Sequence, residues 1–430
     1  MNNLPVRLFL ACVGLLGGSL CLWGADDVLT RTYPGSDKPG ELTCEANYYL
    51  WLPPNAKTIR GIIVHQHGCG DGAERGCLEA ARDQHWRALA AKWDCALLGT
   101  SYRAGDANCA AWSDPARGSQ ARFLQALSDF AANTKHPELA TAPWCLWGHS
   151  GGAWWASNML ARQPERCVAV WLRSGSAFGP PREDKQQAPA VPEAAYRVPV
   201  MCNPGEKERN DERFHNAYNA NAFMFVEWRK QGALIGFAAE PNCNHECGQS
   251  RYLAIPWFDA ILAARLPDKP TEPLKTIAEH TGWLAPFGSC IAVPPDKYTG
   301  DMAHSIWLPN SAIAQKWCEY VQSGSVSDTT PPPPPANVKL AGKLLSWRAD
   351  ADLDSGLRGF SILQNGKEIA RLPEKQESTT LFQGLTYHDT PLQPCPVMEY
   401  TLADPTGEIR LISHNTVGLA SEPSLPALRD

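Results

Sequence analysis

Long apolar runs are nearly absent from this chain of 430 residues. Only residues 8–23 form one, and 16 residues containing three glycines fall short of the roughly 20 that a membrane span needs. With a mean hydropathy of −0.31, that excludes a polytopic membrane protein. A surplus of positive charge is lacking too. The 39 Lys and Arg stand against 45 Asp and Glu, a formal net charge of −6, so no nucleic-acid partner is expected. Charge as a whole is not scarce, at 20% beside 44% hydrophobic residues, which is the composition of a folded chain and not of a disordered one. Cysteine is the one type in clear excess for a reducing compartment. The 15 present would be unusual there unless metal or catalysis used them. The spacing Cys243-x3-Cys247 around His245 is not a zinc pattern, so no metal is expected from it.

The N-terminal layout accounts for the cysteines. Arg7, the apolar run, the small residues Gly24 and Ala25, and then Asp26 and Asp27 read as a secretory signal peptide over residues 1–25. A secreted or periplasmic protein follows, in an oxidising compartment, with 13 of the 15 cysteines left after removal of Cys12 and Cys21. Further on, residues 328–336 hold five consecutive prolines, which can continue neither a helix nor a sheet and favour an extended spacer. The reading is a large domain over 26–327, a proline-rich linker over 328–336 and a small domain over 337–430.

In the large domain, apolar strand-like runs at 48–52, 61–65, 95–101, 144–148, 167–173, 198–202 and 234–239 alternate with helical patterns. The helices fall at 78–92, 118–133, 152–162, 219–231 and 252–266. Strand and helix in alternation predict an α/β fold with a doubly wound, mostly parallel sheet.

The run Trp144-Cys145-Leu146-Trp147 leads straight into Gly148-His149-Ser150-Gly151-Gly152 and then a helical pattern. This is G-x-S-x-G between strand and helix, the context of a nucleophile elbow, where glycines two before and two after the serine let strand and helix pass closely. An ordinary glycine-rich turn is the plain alternative. The strand at 61–65 ends in Gln66-His67-Gly68-Cys69-Gly70, which resembles the oxyanion segment of the α/β-hydrolases. Backbone N–H groups of Gly151 with Cys69, or with Gly70, are the expected oxyanion donors, and His67 is expected to brace the loop and move no protons.

On these two elements residues from about 40 to 268 resemble a secreted α/β-hydrolase, similar to the polyhydroxybutyrate depolymerase and feruloyl or acetyl esterase branches. The departures are His149 within the elbow, Trp154-Trp155 after it, and Glu where Asp is commoner. The resemblance implies the chain order serine, acid, histidine. Among His215, His245, His280 and His304, only His245 lies in the loop between the last strand-like run at 234–239 and the helix at 252–266, and it is the expected base. His388 and His414 lie beyond the linker and are set aside. The acid is expected after the strand at 198–202. Glu208, three residues past Gly205, fits best, with Glu206 and Asp211 as alternatives. The implied activity is serine esterase chemistry with no cofactor, on an ester substrate that includes polymeric ones such as acylated polysaccharide or polyester. A serine peptidase on the same fold, or a non-catalytic adhesive protein, are the alternatives.

Two regions could shape specificity. Residues 179–197 read as a cap or a surface loop. Residues 270–325 carry an aromatic set that packs on the core or lines a binding face. The small domain shows strand-like runs at 344–347, 360–363, 400–402 and 418–421, with Asn365-Gly366 as a hairpin turn. It resembles a fibronectin type III sandwich with a spacer or adhesive role. Disulfides are expected near the active-site rim, with Cys69–Cys77 and Cys290–Cys318 as the pairs proposed from sequence.

Overall fold

The computed structural model describes residues 27–105, 108–181, 189–374, 381–392 and 398–429. The expected signal peptide, Cys395 and part of the 179–197 segment lie outside them. An eight-stranded sheet forms from β1 (Val28–Tyr33), β2 (Glu45–Trp51), β3 (Gly61–Gln66), β4 (Cys95–Arg103), β5 (Trp144–His149), β6 (Cys167–Arg173), β7 (Val200–Asn203) and β8 (Ile235–Phe237). Its order is β1-β2-β4-β3-β5-β6-β7-β8. β1 pairs antiparallel with β2, and β2 antiparallel with β4. All other neighbours are parallel. Every residue of β3, β5 and β6 is buried, so both faces of the sheet centre are covered. That explains why these strands read as unbroken apolar runs and not as alternation. β1 escaped the sequence reading for the opposite reason: Arg31 and the threonines give it an exposed edge face.

The helices are α1 (Asp71–Glu79), α2 (Gln84–Lys92), α3 (Ser119–Asn133), α4 (Gly151–Arg162), α5 (His215–Arg229) and α6 (Arg251–Arg265). The single helix expected at 78–92 is two. Asp83 breaks it, accepting hydrogen bonds from His85 N and Trp86 N as the N-cap of α2. This mostly parallel sheet with its helices fits an α/β-hydrolase. From β3 the chain moves to β4 on one side, then to β5 on the other. The carboxyl ends of β3 and β5 therefore flank a topological switch point, where open α/β sheets place their ligand crevice.

After α6, β9 (Trp283–Pro286) and β10 (Ser305–Leu308) pair, and α7 (Ser311–Ser323) follows, started by the Asn310 side chain and ended by Gly324 at φ 75°. The aromatic set here divides. Trp307, Trp317 and Tyr320 are core, while Phe287 is exposed. The Trp317 indole donates to Phe237 O at 2.8 Å and the Tyr320 hydroxyl to Glu240 at 2.9 Å, which docks α7 against the end of β8.

The C-terminal part has two further sheets. One orders β15 (Glu399–Thr401), β12 (Leu344–Arg348), β11 (Ala336–Ala341) and β17 (Leu428–Arg429); the other orders β14 (Lys367–Leu372), β13 (Leu357–Gln364) and β16 (Ile409–Asn415). Asn365 and Gly366, at φ 50° and 78°, make the β13–β14 turn. The second core gathers Leu340, Leu345, Trp347, Phe360, Ile362 and Leu411. These sheets are compatible with a β domain. The run expected at 418–421 makes only an isolated bridge, His414 with Ala420.

One segment of this part does not stay with its sheets. Residues 381–392 lie against α1, α2 and α6. Gln383 accepts from Gln84 N and donates to Arg82 O, both at 2.9 Å, and Tyr387 O accepts from Cys247 N at 3.2 Å. Arg251, from α6, is the centre of the contact. It bonds Asp83 at 2.7 Å and Asp389 at 2.6 Å, with all three side chains buried. Burial opposes the Arg251 charge, but Asp389 and Asp83 outweigh it and hold the guanidinium above its ordinary pKa. A cavity of about 220 Å³ lies away from this cluster, bounded by Pro53, Asn55, Pro334 and Arg348. It shares no residue with the candidate site.

Candidate active site

Ser150 sits between the end of β5 and the start of α4 with φ 56° and ψ −119°. A non-glycine residue with positive φ is held there only by its surroundings. The surroundings are tight. A Cβ on Gly148 would lie 2.6 Å from Gly152 C, and one on Gly152 would lie 2.6 Å from His67 O. Only glycine fits either place, which is the close strand–helix passage that the motif demands. Ser150 N donates to Arg173 O at 2.9 Å and so pins the turn to β6.

His245 stands in the loop between β8 and α6. The Ser150 hydroxyl donates to its Nε2 at 2.9 Å, and its Nδ1–H donates to Glu208 Oε1. Glu208 lies on the 3-10 turn Glu206–Asn210 after β7, with no exposed surface, and its other oxygen accepts from Gly205 N at 3.1 Å. Of the three acids considered, Glu206 is exposed. Asp211 is committed elsewhere: its oxygens accept from Arg213 N, Phe214 N and the Asn244 side chain at 2.8–2.9 Å. Among the other histidines weighed, His304 pairs with Asp301 at the surface, and His215 bonds Asp211 O.

Two supports went unread in the sequence. Phe214 stacks on His245, with ring centroids 3.9 Å apart and planes within 6°. Arg173, at the end of β6, is fully buried and paired with Glu240 at 3.2 Å. It also donates to Asn203 O at 3.2 Å and Glu246 O at 3.1 Å, so one cation ties the β7 exit to the loop that carries His245. An apolar run ending in Arg173 was the only sequence signal for it.

Segment 66–70 at the end of β3 comes up against the serine. A Cβ on Gly68 would lie 2.8 Å from Ser150 Cβ and 3.2 Å from its Oγ. Gly68→Ala should therefore displace the hydroxyl and slow fluorophosphonate labelling of Ser150 by about 100-fold. Time-resolved mass spectrometry beside a thermal melt checks this, the melt showing that the chain still folds.

The disulfides differ from expectation. Cys69 pairs with Cys109, Cα to Cα 5.4 Å, and not with Cys77. Cys77 is buried in α1, where its thiol accepts from His67 N at 2.9 Å. Cys290 and Cys318 are free thiols that share the Gln322 amide, at 2.6 and 3.3 Å. The bond that does form lies on the elbow. A Cβ on Gly151 would be 3.3 Å from Cys69 Sγ and 3.1 Å from Cys109 Cβ.

His67 is buried and neither ring nitrogen has a hydrogen-bond partner. His149 is buried beside it and bonds His245 O at 2.7 Å through Nε2. Burial, together with neighbouring imidazoles, holds both well below the ordinary histidine pKa, so both are neutral.

No protein-family model matches the chain, and neither does any curated protein. Solved structures with a similar arrangement include a thermostable esterase, at 14% identity, covering 50% of this chain and 55% of that one, with a TM-score of 0.36. They also include poly(aspartic acid) hydrolase-1 from Sphingomonas sp. KT-1 (13% identity, 51% and 93% covered, TM-score 0.37). A ferulic acid esterase is a third (17% identity, 51% and 91% covered, TM-score 0.37). The chain thus spans about half the length of the first of these. Among the described residues no helix is long and apolar enough to cross a membrane.

Proposed function

We propose that this chain is a secreted serine hydrolase that cleaves carboxylic esters through an acyl-enzyme. The observation that carries the reading is the unbroken relay Ser150–His245–Glu208 beginning on a positive-φ serine. In the reaction, His245 takes the Ser150 proton as Oγ attacks the ester carbonyl, and Glu208 stabilises the imidazolium. The N–H groups of Gly151 and Cys69, with Gly70 as the other candidate, receive the oxyanion. His245 then protonates the leaving alcohol and activates the water that releases the acid. No cofactor enters these steps.

The substrates proposed are acylated polysaccharides or polyesters, acted on after export under the signal peptide at 1–25. The catalytic unit would span 26–327 and the fibronectin type III-like unit 337–430, joined by the linker at 328–336. The test is a panel of p-nitrophenyl acetate, acetylated and feruloylated glycans, a polyester and aminoacyl amides, run beside a fluorophosphonate probe. Labelling at Ser150 with ester turnover is expected. Amide turnover alone would move the reading to a peptidase, and no labelling would make the chain non-catalytic.

A further inference from the structure

Outside the relay, three histidines that sequence keeps far apart come together. His67 follows β3, His149 ends β5, and His388 lies in the docked segment 381–392. Their ring centroids form a near-equilateral triangle with sides of 5.8, 6.0 and 6.1 Å. One ring nitrogen from each lies within 4.8 Å of the others. Four nitrogens of these rings, both from His67 and Nδ1 from His149 and His388, are buried with no hydrogen-bond partner. Buried polar atoms are satisfied almost everywhere in folded proteins, so unpartnered nitrogens on all three of these facing rings suit an occupant.

We propose that His67, His149 and His388 form a binding site for a divalent transition cation of the zinc class. Imidazole is a preferred ligand of such ions. The tautomers suit it. His149 Nε2–H donates to the His245 carbonyl, which leaves the lone pair on the unpartnered Nδ1. A ligating histidine ordinarily gives its other N–H to such a carbonyl.

The distances require only side-chain adjustment. Nitrogens about 2.0–2.1 Å from a tetrahedral ion stand about 3.4 Å apart, with ring centroids about 5.2 Å apart. Each ring therefore moves by about an ångström at most. His67 and His149 are closed off, and His388 is half-buried, so the fourth position faces outward and goes to water. The ion would be structural. It would hold segment 381–392 against the back of the elbow and stiffen the carbonyl of the residue that carries the base. The proposal stands on the histidines alone and not on the reaction assigned to Ser150.

The full exported chain, stripped with a chelator, is titrated with zinc against a chromophoric competitor. One zinc per chain is expected, with a rise in Tm of about 3 °C at 100-fold excess over Kd. His388→Gln and His67→Gln should each weaken binding at least about 100-fold, since loss of an outer-shell partner alone costs about 10–100-fold. X-ray absorption on the wild-type chain needs no variant and should report three imidazole ligands. No binding, sulfur ligation, fewer than three imidazoles, or wild-type affinity in both folded variants would each overturn the site.

Discussion

Ser150→Ala should lower ester turnover by about 10⁴–10⁶-fold while leaving the melting temperature close to that of the parent chain. The serine is the only atom source for the acyl-enzyme in the proposed reaction, and its hydroxyl makes one bond, to His245. Its removal costs little packing, because alanine keeps the Cβ that Gly68 faces. Glu208→Gln is the companion measurement. The amide can still be seated at Gly205 N, but it cannot stabilise the imidazolium, so kcat should fall by about 10⁴-fold. Asp211→Asn keeps the turn that Phe214 and Asn244 rest on and should change kcat by less than about 10-fold. Rate constants for p-nitrophenyl acetate in the three variants decide the matter. An equal loss in Asp211→Asn and Glu208→Gln would move the acid away from Glu208.

The second large effect concerns stability. Arg251→Met should destabilise the chain by about 3–5 kcal/mol, because it strands Asp83 and Asp389 as buried carboxylates without their cation. Methionine fills much of the volume, so the loss reports charge and not a cavity. Asp389 is the weaker member even in the intact cluster. Burial raises its pKa to about 6 despite Arg251, whereas Asp83 is drawn below its ordinary value by Arg251 against the pull of burial. Segment 381–392 should then release before the sheet does. Denaturant melts and limited proteolysis would show an early cut near Asp389. A change below about 1 kcal/mol with no new cleavage would mean that the segment is not held by this cluster.

What sequence revealed and what it did not follow from how far apart the partners lie. The turn at Gly148 to Gly152 and the segment His67 to Gly70 are each local, so both were legible as stretches that approach one another, and Gly68 does lie against Ser150. His245 required the order of strands as well as its own neighbours. The choice among Glu206, Glu208 and Asp211 turns on which side of one 3-10 turn faces inward, and three acids within six residues leave that open on paper. The split between α1 and α2 was missed because the helical period runs through Asp83, and only its capping bonds break it. His388 was set aside for lying beyond the prolines. Nothing in its own neighbourhood signals that it returns to within 6.0 Å of His149.

The bond between Cys69 and Cys109 acts on the unfolded chain as well as on the folded one. It closes a loop of 40 residues that contains α1, α2 and β4. On the loop-closure scale this removes disorder from the denatured ensemble worth about 4 kcal/mol. The loop begins at the exit of β3 and ends just past the exit of β4, two strands that pair side by side in the sheet. An unfolded but oxidised chain therefore already keeps the ends of these two strands within one covalent link. The entropy cost of bringing them together is met before any of the sheet has formed.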